Sequence, residues 1–254
     1  MKFSVCIESV FRGRNVSEAL SLVKASGFNA FEFWNWRNKD IPLFAREMER
    51  LELSLATFCT DGGTLVDPDA HKDFLQGIKE SVSVAARLGC TTLITQTGNE
   101  MRGIPRERQI ENVVAGLRLA APIAEEAGVT LLLEPLNTAV DHPGYLLTRS
   151  NEAFEIIEQV GSSHVKVLFD IYHQQISEGN LLRAMLGNLH SIGHLHAAGC
   201  PGRHELQFGE IHYGNVIQAL RSAGYSNYFG LEFFPSDEPT LGLEYARRLM
   251  EDVT

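Results

Sequence analysis

Four polar residues close short apolar runs in the second half of the chain. Glu134 follows Thr130-Leu131-Leu132-Leu133, Asp170 ends Val165-Lys166-Val167-Leu168-Phe169, His196 sits in Gly193-His194-Leu195-His196-Ala197, and Glu232 follows Phe229-Gly230-Leu231. Three carboxylates brought within ~4–6 Å raise one another's pKa and repel. A divalent cation removes that cost. Oxygen ligands with one imidazole suit Mn²⁺ or Mg²⁺, with Co²⁺ and Zn²⁺ also able to bind such a set. The expected metal ligands are therefore Glu134, Asp170, His196 and Glu232. His194 and His196 share a strand face, because side chains alternate. His196 lies nearer the strand end and is taken as the ligand, with His194 packed behind it.

Three further residues could meet a substrate, each with a plainer alternative. His173, three residues after Asp170 in an expected loop, could donate to a substrate oxygen or simply face solvent. Arg203, in Cys200-Pro201-Gly202-Arg203-His204-Glu205, could hold a carboxylate or hydroxyl oxygen, or pair with Glu205 at the surface. Trp34, in Phe33-Trp34-Asn35-Trp36, could cover the apolar face of a sugar and exclude water, or pack under a loop.

The elements that must position these groups form a repeated unit. An amphipathic helix ends in a small residue and glycine, and a short apolar run follows. The pattern is read at Gly27, Gly89, Gly128 and Gly224. Glycine just past a helix accepts the left-handed conformation that caps the last turn. The run after it is apolar on both faces, as a parallel strand covered by helices should be. Eight strands are expected near 2–8, 29–34, 53–58, 91–96, 129–134, 165–170, 192–198 and 228–233. Helices are expected at 16–26, 41–51, 70–88, 106–127, 150–160, 180–189, 213–223 and 239–251. With 254 residues, each βα unit has about 32. This predicts an α/β fold, a (β/α)8 TIM barrel, as a single domain over 1–254. In such a barrel the active site lies at the C-terminal mouth of the strands. The four candidate ligands end β5, β6, β7 and β8 of that scheme. The polar stretch 60–69 reads equally as a lid or as a passive surface loop.

The net charge of -10 argues against nucleic acid as a partner. No apolar run approaches the ~20 residues needed to cross a bilayer, so no membrane partner is expected. The four cysteines, Cys6, Cys59, Cys90 and Cys200, form no CxxC pair and fit reduced thiols in a cytoplasmic protein. The N-terminal residues read as a strand, not as a signal peptide.

The chain resembles the xylose-isomerase-like barrel superfamily, and within it the hydroxypyruvate isomerase branch. The resemblance rests on Leu133-Glu134-Pro135-Leu136-Asn137, Asp141-His142-Pro143-Gly144-Tyr145, Phe169-Asp170-Ile171-Tyr172-His173-Gln174, Pro201-Gly202-Arg203-His204-Glu205 and Gly209-Glu210-Ile211. It implies one divalent metal held by Glu134, Asp170, His196 and Glu232, with Glu134 and Glu232 as catalytic residues exchanging the substrate proton. It also implies a small sugar or keto-acid substrate, such as hydroxypyruvate converted to tartronate semialdehyde through an enediolate. Barrels of this kind often form homo-oligomers. The chain departs from that branch at His196, where glutamine is common, at Leu206-Gln207-Phe208, and at Trp34-Asn35-Trp36. His196 and the two tryptophans match the related ketose 3-epimerases, in which the histidine and arginine corresponding to His173 and Arg203 contact substrate. A ketose 3-epimerase is thus the alternative. An endonuclease IV-like phosphodiesterase shares the barrel, but needs more metal-ligating histidines and a basic face. A non-catalytic sugar-binding barrel would not need the complete carboxylate set.

Overall fold

The computed structural model describes residues 1–251; the expected domain runs on over 252–254, which lie outside the described residues. Eight parallel strands close into one barrel in sequential order. They are β1 Lys2–Cys6, β2 Ala30–Phe33, β3 Ser54–Cys59, β4 Thr92–Thr95, β5 Thr130–Leu133, β6 Val165–Asp170, β7 Ile192–Ala197 and β8 Tyr228–Leu231. β1 pairs with β8 from Lys2 opposite Tyr228 to Val5 opposite Leu231, so no sheet edge remains. The chain is a single-domain (β/α)8 TIM barrel, as the repeat predicts.

All eight expected helices are present, with ends shifted by a residue or two. Local chemistry explains their limits. The Asn15 side chain accepts from Glu18 N to start Val16–Ala25, and Asp40 accepts from Leu43 N to start Ile41–Leu51. Gly89, at φ 64, ends His71–Leu88 in the left-handed conformation that its position after the helix predicted.

Two expectations are corrected. β1 ends at Cys6, not at residue 8, because Ile7–Val10 turns into a helix. His173 is not in a loop. Asp170 caps a helix, Ile171–Ser177, by accepting from both Tyr172 N and His173 N, and this places His173 in its first turn.

Strand alternation sorts side chains between the barrel interior and the helix layer. Phe31 and Phe33 of β2 face outward and pack on Phe44 of Ile41–Leu51, at ring separations of 5.9 and 5.0 Å. Glu32, between them, must face inward. Ile94, Leu132 and Leu168 form a buried cluster of their own, apart from the main core. Glu134 and Asp170 stand two residues beyond Leu132 and Leu168, on the same face and nearer the mouth.

Stretch 60–69 is secured along much of its length. Thr60 N donates to Ile94 O, Leu65 N and Val66 N both donate to Thr97 O, and Leu65 and Val66 are buried. It ends in a 3-10 turn, Pro68–Ala70. Thr60, Leu65 and Val66 thus tie the stretch to the barrel rim.

Candidate active site

The four acidic and imidazole groups that the sequence singled out are brought together at the mouth. Glu134 and Glu232 stand one residue past β5 and β8, and Asp170 and His196 lie within β6 and β7. All four are buried. His196 Nδ1 lies 3.3 Å from Glu232 Oε2 and 3.7 Å from Glu134 Oε1, so the two glutamates flank one ring nitrogen. Asp170, His196 and Glu232 each offer a ligand atom within 4.8 Å of the others, and so do Glu134, Asp170 and His173.

Arg203 binds this cluster, not Glu205. Its Nη2 lies 2.5 Å from Glu232 Oε2 and 3.8 Å from Asp170 Oδ2. The guanidinium stacks over Tyr172 and Phe234 at 5.2 and 5.6 Å, and Phe234 N donates to Arg203 O. Arg203 Nε is buried without a hydrogen-bond partner. Glu205 instead accepts from Ser236 N and Oγ. The backbone of Arg203 is left-handed, at φ 56, which aims the side chain back over the barrel axis at a cost that functional loops commonly carry.

Trp34 also reaches the centre. Its Nε1 donates to Glu232 Oε1 at 2.5 Å, and its ring meets Phe234 edge-on at 6.4 Å. Glu8 fixes its backbone by accepting from Trp34 N at 2.5 Å, and Lys39 holds Glu8 at 2.7 Å. Trp36 does not join it. Its Nε1 donates to Ser81 Oγ and its ring carries Arg37, so it packs against the helix layer.

His173 is held in one orientation by Asn137. The Asn137 Oδ1 accepts from Val140 N and Asp141 N, which fixes which end of the amide is oxygen. Its Nδ2 donates to Asp141 Oδ2 at 2.6 Å and to His173 Nδ1 at 2.7 Å. An acceptor at Nδ1 leaves the proton on Nε2, which lies 3.5 Å from Asp170 Oδ2. Burial, with Arg203 nearby, pushes His173 down to about 4, so the ring is neutral at pH 7. Tyr172 Oη donates to Asp141 Oδ2 and completes the network.

Charges within the cluster oppose burial unequally. Burial raises Glu232, but Arg203 and His196 outweigh it and hold that carboxyl well below its ordinary range. Burial also raises Asp170; Arg203 pulls the other way, and Asp170 stays above its ordinary value. Burial lowers His196, yet the carboxylates of Glu232 and Glu32 lift it well above 6.5. A lone buried imidazole would resist charging; the surrounding acids reverse that push.

Sequence reasoning did not single out Glu32 or Asn137. Glu32 Oε2 lies 2.9 Å from His194 Nε2, and its Oε1 lies 3.3 Å from His196 Nε2. The signal was present. A charged residue between two outward-facing phenylalanines on a barrel strand is buried, and a buried carboxylate needs partners. Asn137 gave no signal, since the bonds that fix it come from a turn, residues 137–141.

Beside the cluster, a cavity of about 480 Å³ is lined by Thr64, Val66, Gln96, Leu136, His142 and Tyr145, among others. The His142 ring lies 5.3 Å from that of His173, which connects the cavity to the site. The donor set suits a divalent cation. Both ring nitrogens of His196 are buried without a hydrogen-bond partner, Glu134 and Glu232 lie at its Nδ1, and Asp170 offers a further ligand atom within 4.8 Å of those of His196 and Glu232.

A (β/α)8 barrel with three carboxylates and a histidine at its mouth defines a class of enzymes, and the comparisons agree. The family model described as xylose isomerase-like TIM barrel matches residues 20–253, and the chain belongs to that family. A 2-oxo-tetronate isomerase of Cupriavidus necator is 29% identical over 97% of both chains. The hydroxypyruvate isomerase of Escherichia coli is 32% identical over 70% of this chain and 69% of its own. A crystal structure titled AP endonuclease, family 2, from Brucella melitensis superposes with a TM-score of 0.93 at 27% identity, covering 97% of this chain and 98% of that one. The chain is an isomerase of this family. Among the described residues, no helix is long and apolar enough to cross a membrane.

Proposed function

We propose that the chain is a divalent-metal-dependent isomerase of a small 2-keto-3-hydroxy acid, of the kind named in its relatives, hydroxypyruvate or a 2-oxo-tetronate. The observation that carries this reading is the placement of Glu134 and Glu232 on either side of His196, 3.7 and 3.3 Å from its Nδ1. Glu134, Asp170, His196 and Glu232 would hold the cation, which supplies Lewis-acid stabilisation of the negative charge that develops on the substrate oxygens.

The side chains do the rest. Glu134 removes the proton from the hydroxyl-bearing carbon of the substrate. The C–H electron pair forms the carbon–carbon double bond of an enediolate, and the former carbonyl oxygen takes up the charge. His173, neutral and protonated at Nε2, donates to that oxygen. The proton returns to the neighbouring carbon from Glu134, directly or by way of Glu232, and the first carbon's hydroxyl becomes the new carbonyl as its proton passes to the former carbonyl oxygen, which becomes the new hydroxyl. The unused Nε–H of Arg203 is a donor for the substrate carboxylate. Trp34 covers the mouth beside Glu232 and limits water.

Glu134→Gln tests this reading. Deuterium exchange from D₂O into hydroxypyruvate should fall by about 10²–10⁴-fold with the fold retained. Full exchange in that variant refutes the role of Glu134.

His196 and the contact of Trp34 with Glu232 favour a second reading, a ketose 3-epimerase, in which the proton returns to the opposite face of the same carbon. Product analysis on hydroxypyruvate against free ketoses separates the two. One structural relative, named as an AP endonuclease, brings a third activity, cleavage of abasic DNA. The net charge of -10 opposes it.

A further inference from the structure

Beneath the mouth lies a second polar group, one layer deeper in the barrel. Glu32, His194 and Ser4 are buried there, and Glu32 and His194 meet the underside of His196. Glu32 Oε2 lies 2.9 Å from His194 Nε2 and accepts from Ser4 Oγ at 3.3 Å, and its Oε1 lies 3.3 Å from His196 Nε2. The two imidazoles meet nearly perpendicular, 87° apart, with centroids separated by 5.0 Å. Gly230 of β8 makes room for them. A Cβ there would stand 2.2 Å from Glu32 Oε1, 2.7 Å from His196 Cδ2 and 2.9 Å from His194 Nε2.

A buried carboxylate and two imidazoles are costly to place in a barrel interior, and nothing in the proton transfer uses them. What they do follows from the two ends of His196. Its Nδ1 faces Glu232 and Glu134, and its Nε2 faces Glu32. A metal-ligating histidine usually gives its remote N–H to an acceptor that fixes the tautomer and raises the basicity of the ligating nitrogen. We propose that Glu32 is the positioning residue for His196: its carboxylate, steadied by His194 and Ser4, keeps the proton on Nε2 and so keeps the Nδ1 lone pair turned toward the cation. This inference rests on the metal-dependent reading given above.

Glu32, His194 and His196 also offer ligand atoms within 4.8 Å of one another, so the test below counts the cations bound. The contacts of Glu32 with both rings are not aligned as directed hydrogen bonds; Glu32 Oε1, His194 Nε2 and His196 Nε2 have no partner of that geometry. Attraction between a carboxylate and two rings at these distances needs no such alignment in a buried site. An amide cannot replace it, because only one of its two ends accepts.

The test is titration of metal-free protein with Mn²⁺, followed by calorimetry. The wild-type chain should bind one Mn²⁺. Glu32→Gln should weaken its dissociation constant by about 10–100-fold. Gly230→Ala, which changes no ligand but displaces Glu32 and His196, should weaken it in the same direction. Thermal melting of the metal-free proteins identifies a variant that fails to fold. A measurement on the wild type stands apart from any variant: ¹⁵N-labelled histidine spectra of the Mg²⁺-loaded chain should show His196 protonated at Nε2. Unchanged affinity in both variants, two Mn²⁺ per chain, or His196 protonated at Nδ1 overturns the role of Glu32 alone. A wild-type chain that takes up no Mn²⁺ overturns the metal-dependent reading, and this inference with it.

Discussion

His173 accepts a 2.7 Å hydrogen bond at Nδ1 from the side-chain amide of Asn137, whose own oxygen is occupied by two backbone N–H groups. The imidazole therefore has one tautomer available, with its proton on Nε2 beside Asp170. Asn137→Ala removes the shorter of two donors to Nδ1, leaving the 3.3 Å contact from the residue 137 backbone N–H, and does not touch the acidic cluster. The expected result is a drop in kcat of about 10-fold with a smaller change in KM, since a ring held by the longer bond alone donates from Nε2 only part of the time. A variant with unchanged kcat shows that the Asn137 bond has no catalytic role.

Arg203 is the one guanidinium or ammonium group that reaches both Glu232 and Asp170 among the described contacts. Arg203→Met leaves two buried carboxylates facing each other. Metal-free protein should lose about 3 kcal/mol, as when one partner of a buried ion pair is removed. Adding Mn²⁺ should recover more stability in this variant than in the wild type, because the ion supplies the missing positive charge. In the wild type, Mn²⁺ at a hundred times its dissociation constant should add about 2.7 kcal/mol, and EDTA should remove that gain. Denaturant melts with and without the ion read both effects. Equal gains in the two proteins contradict the proposed overlap of roles.

Asp141 gives a prediction on pH. Burial raises its carboxyl, but donors from Asn137 and Tyr172 outweigh this and hold it below 3.8. A carboxyl depressed by folding contributes stability that is present above its unfolded pKa and lost as pH falls through the folded value. Asp141→Asn should thus be less stable than the wild type at pH 7. The difference should shrink once the pH drops below about 4. A gap that stays constant down to pH 3 removes the carboxylate as its source.

Most of the barrel was legible because its signals are local. A glycine just past an amphipathic run, such as Gly89, caps a helix, and a short apolar run such as Leu131-Leu132-Leu133 after such a glycine reads as a strand covered on both sides. The convergence of Glu134, Asp170, His196 and Glu232 followed once those strands were aligned. What escaped depended on contacts across the barrel. Asp170 was read as a strand end, and it is also a helix cap, so His173 was placed in a loop. Ile7-Glu8-Ser9-Val10 extends the pattern of β1, but its Glu8 is drawn aside to hold the Trp34 backbone, 26 residues away. Arg203 was offered Glu205 as a near neighbour in sequence. The chain instead turns at φ 56 and sends it to Glu232.

The pairing of β1 with β8 has a bearing on biosynthesis. Glu232 is seated by a strand that finds its place only between the first strand and the seventh, and it is reached by Trp34 from 198 residues upstream. A nascent polypeptide that has emerged from the ribosome only as far as β7 has both neighbours of the last strand but not the strand itself. It also lacks Glu232, one of the two glutamates proposed to move the substrate proton. Competence for turnover therefore arrives late and all at once, and a chain cut short before residue 228 should be inert however well its earlier helices have formed.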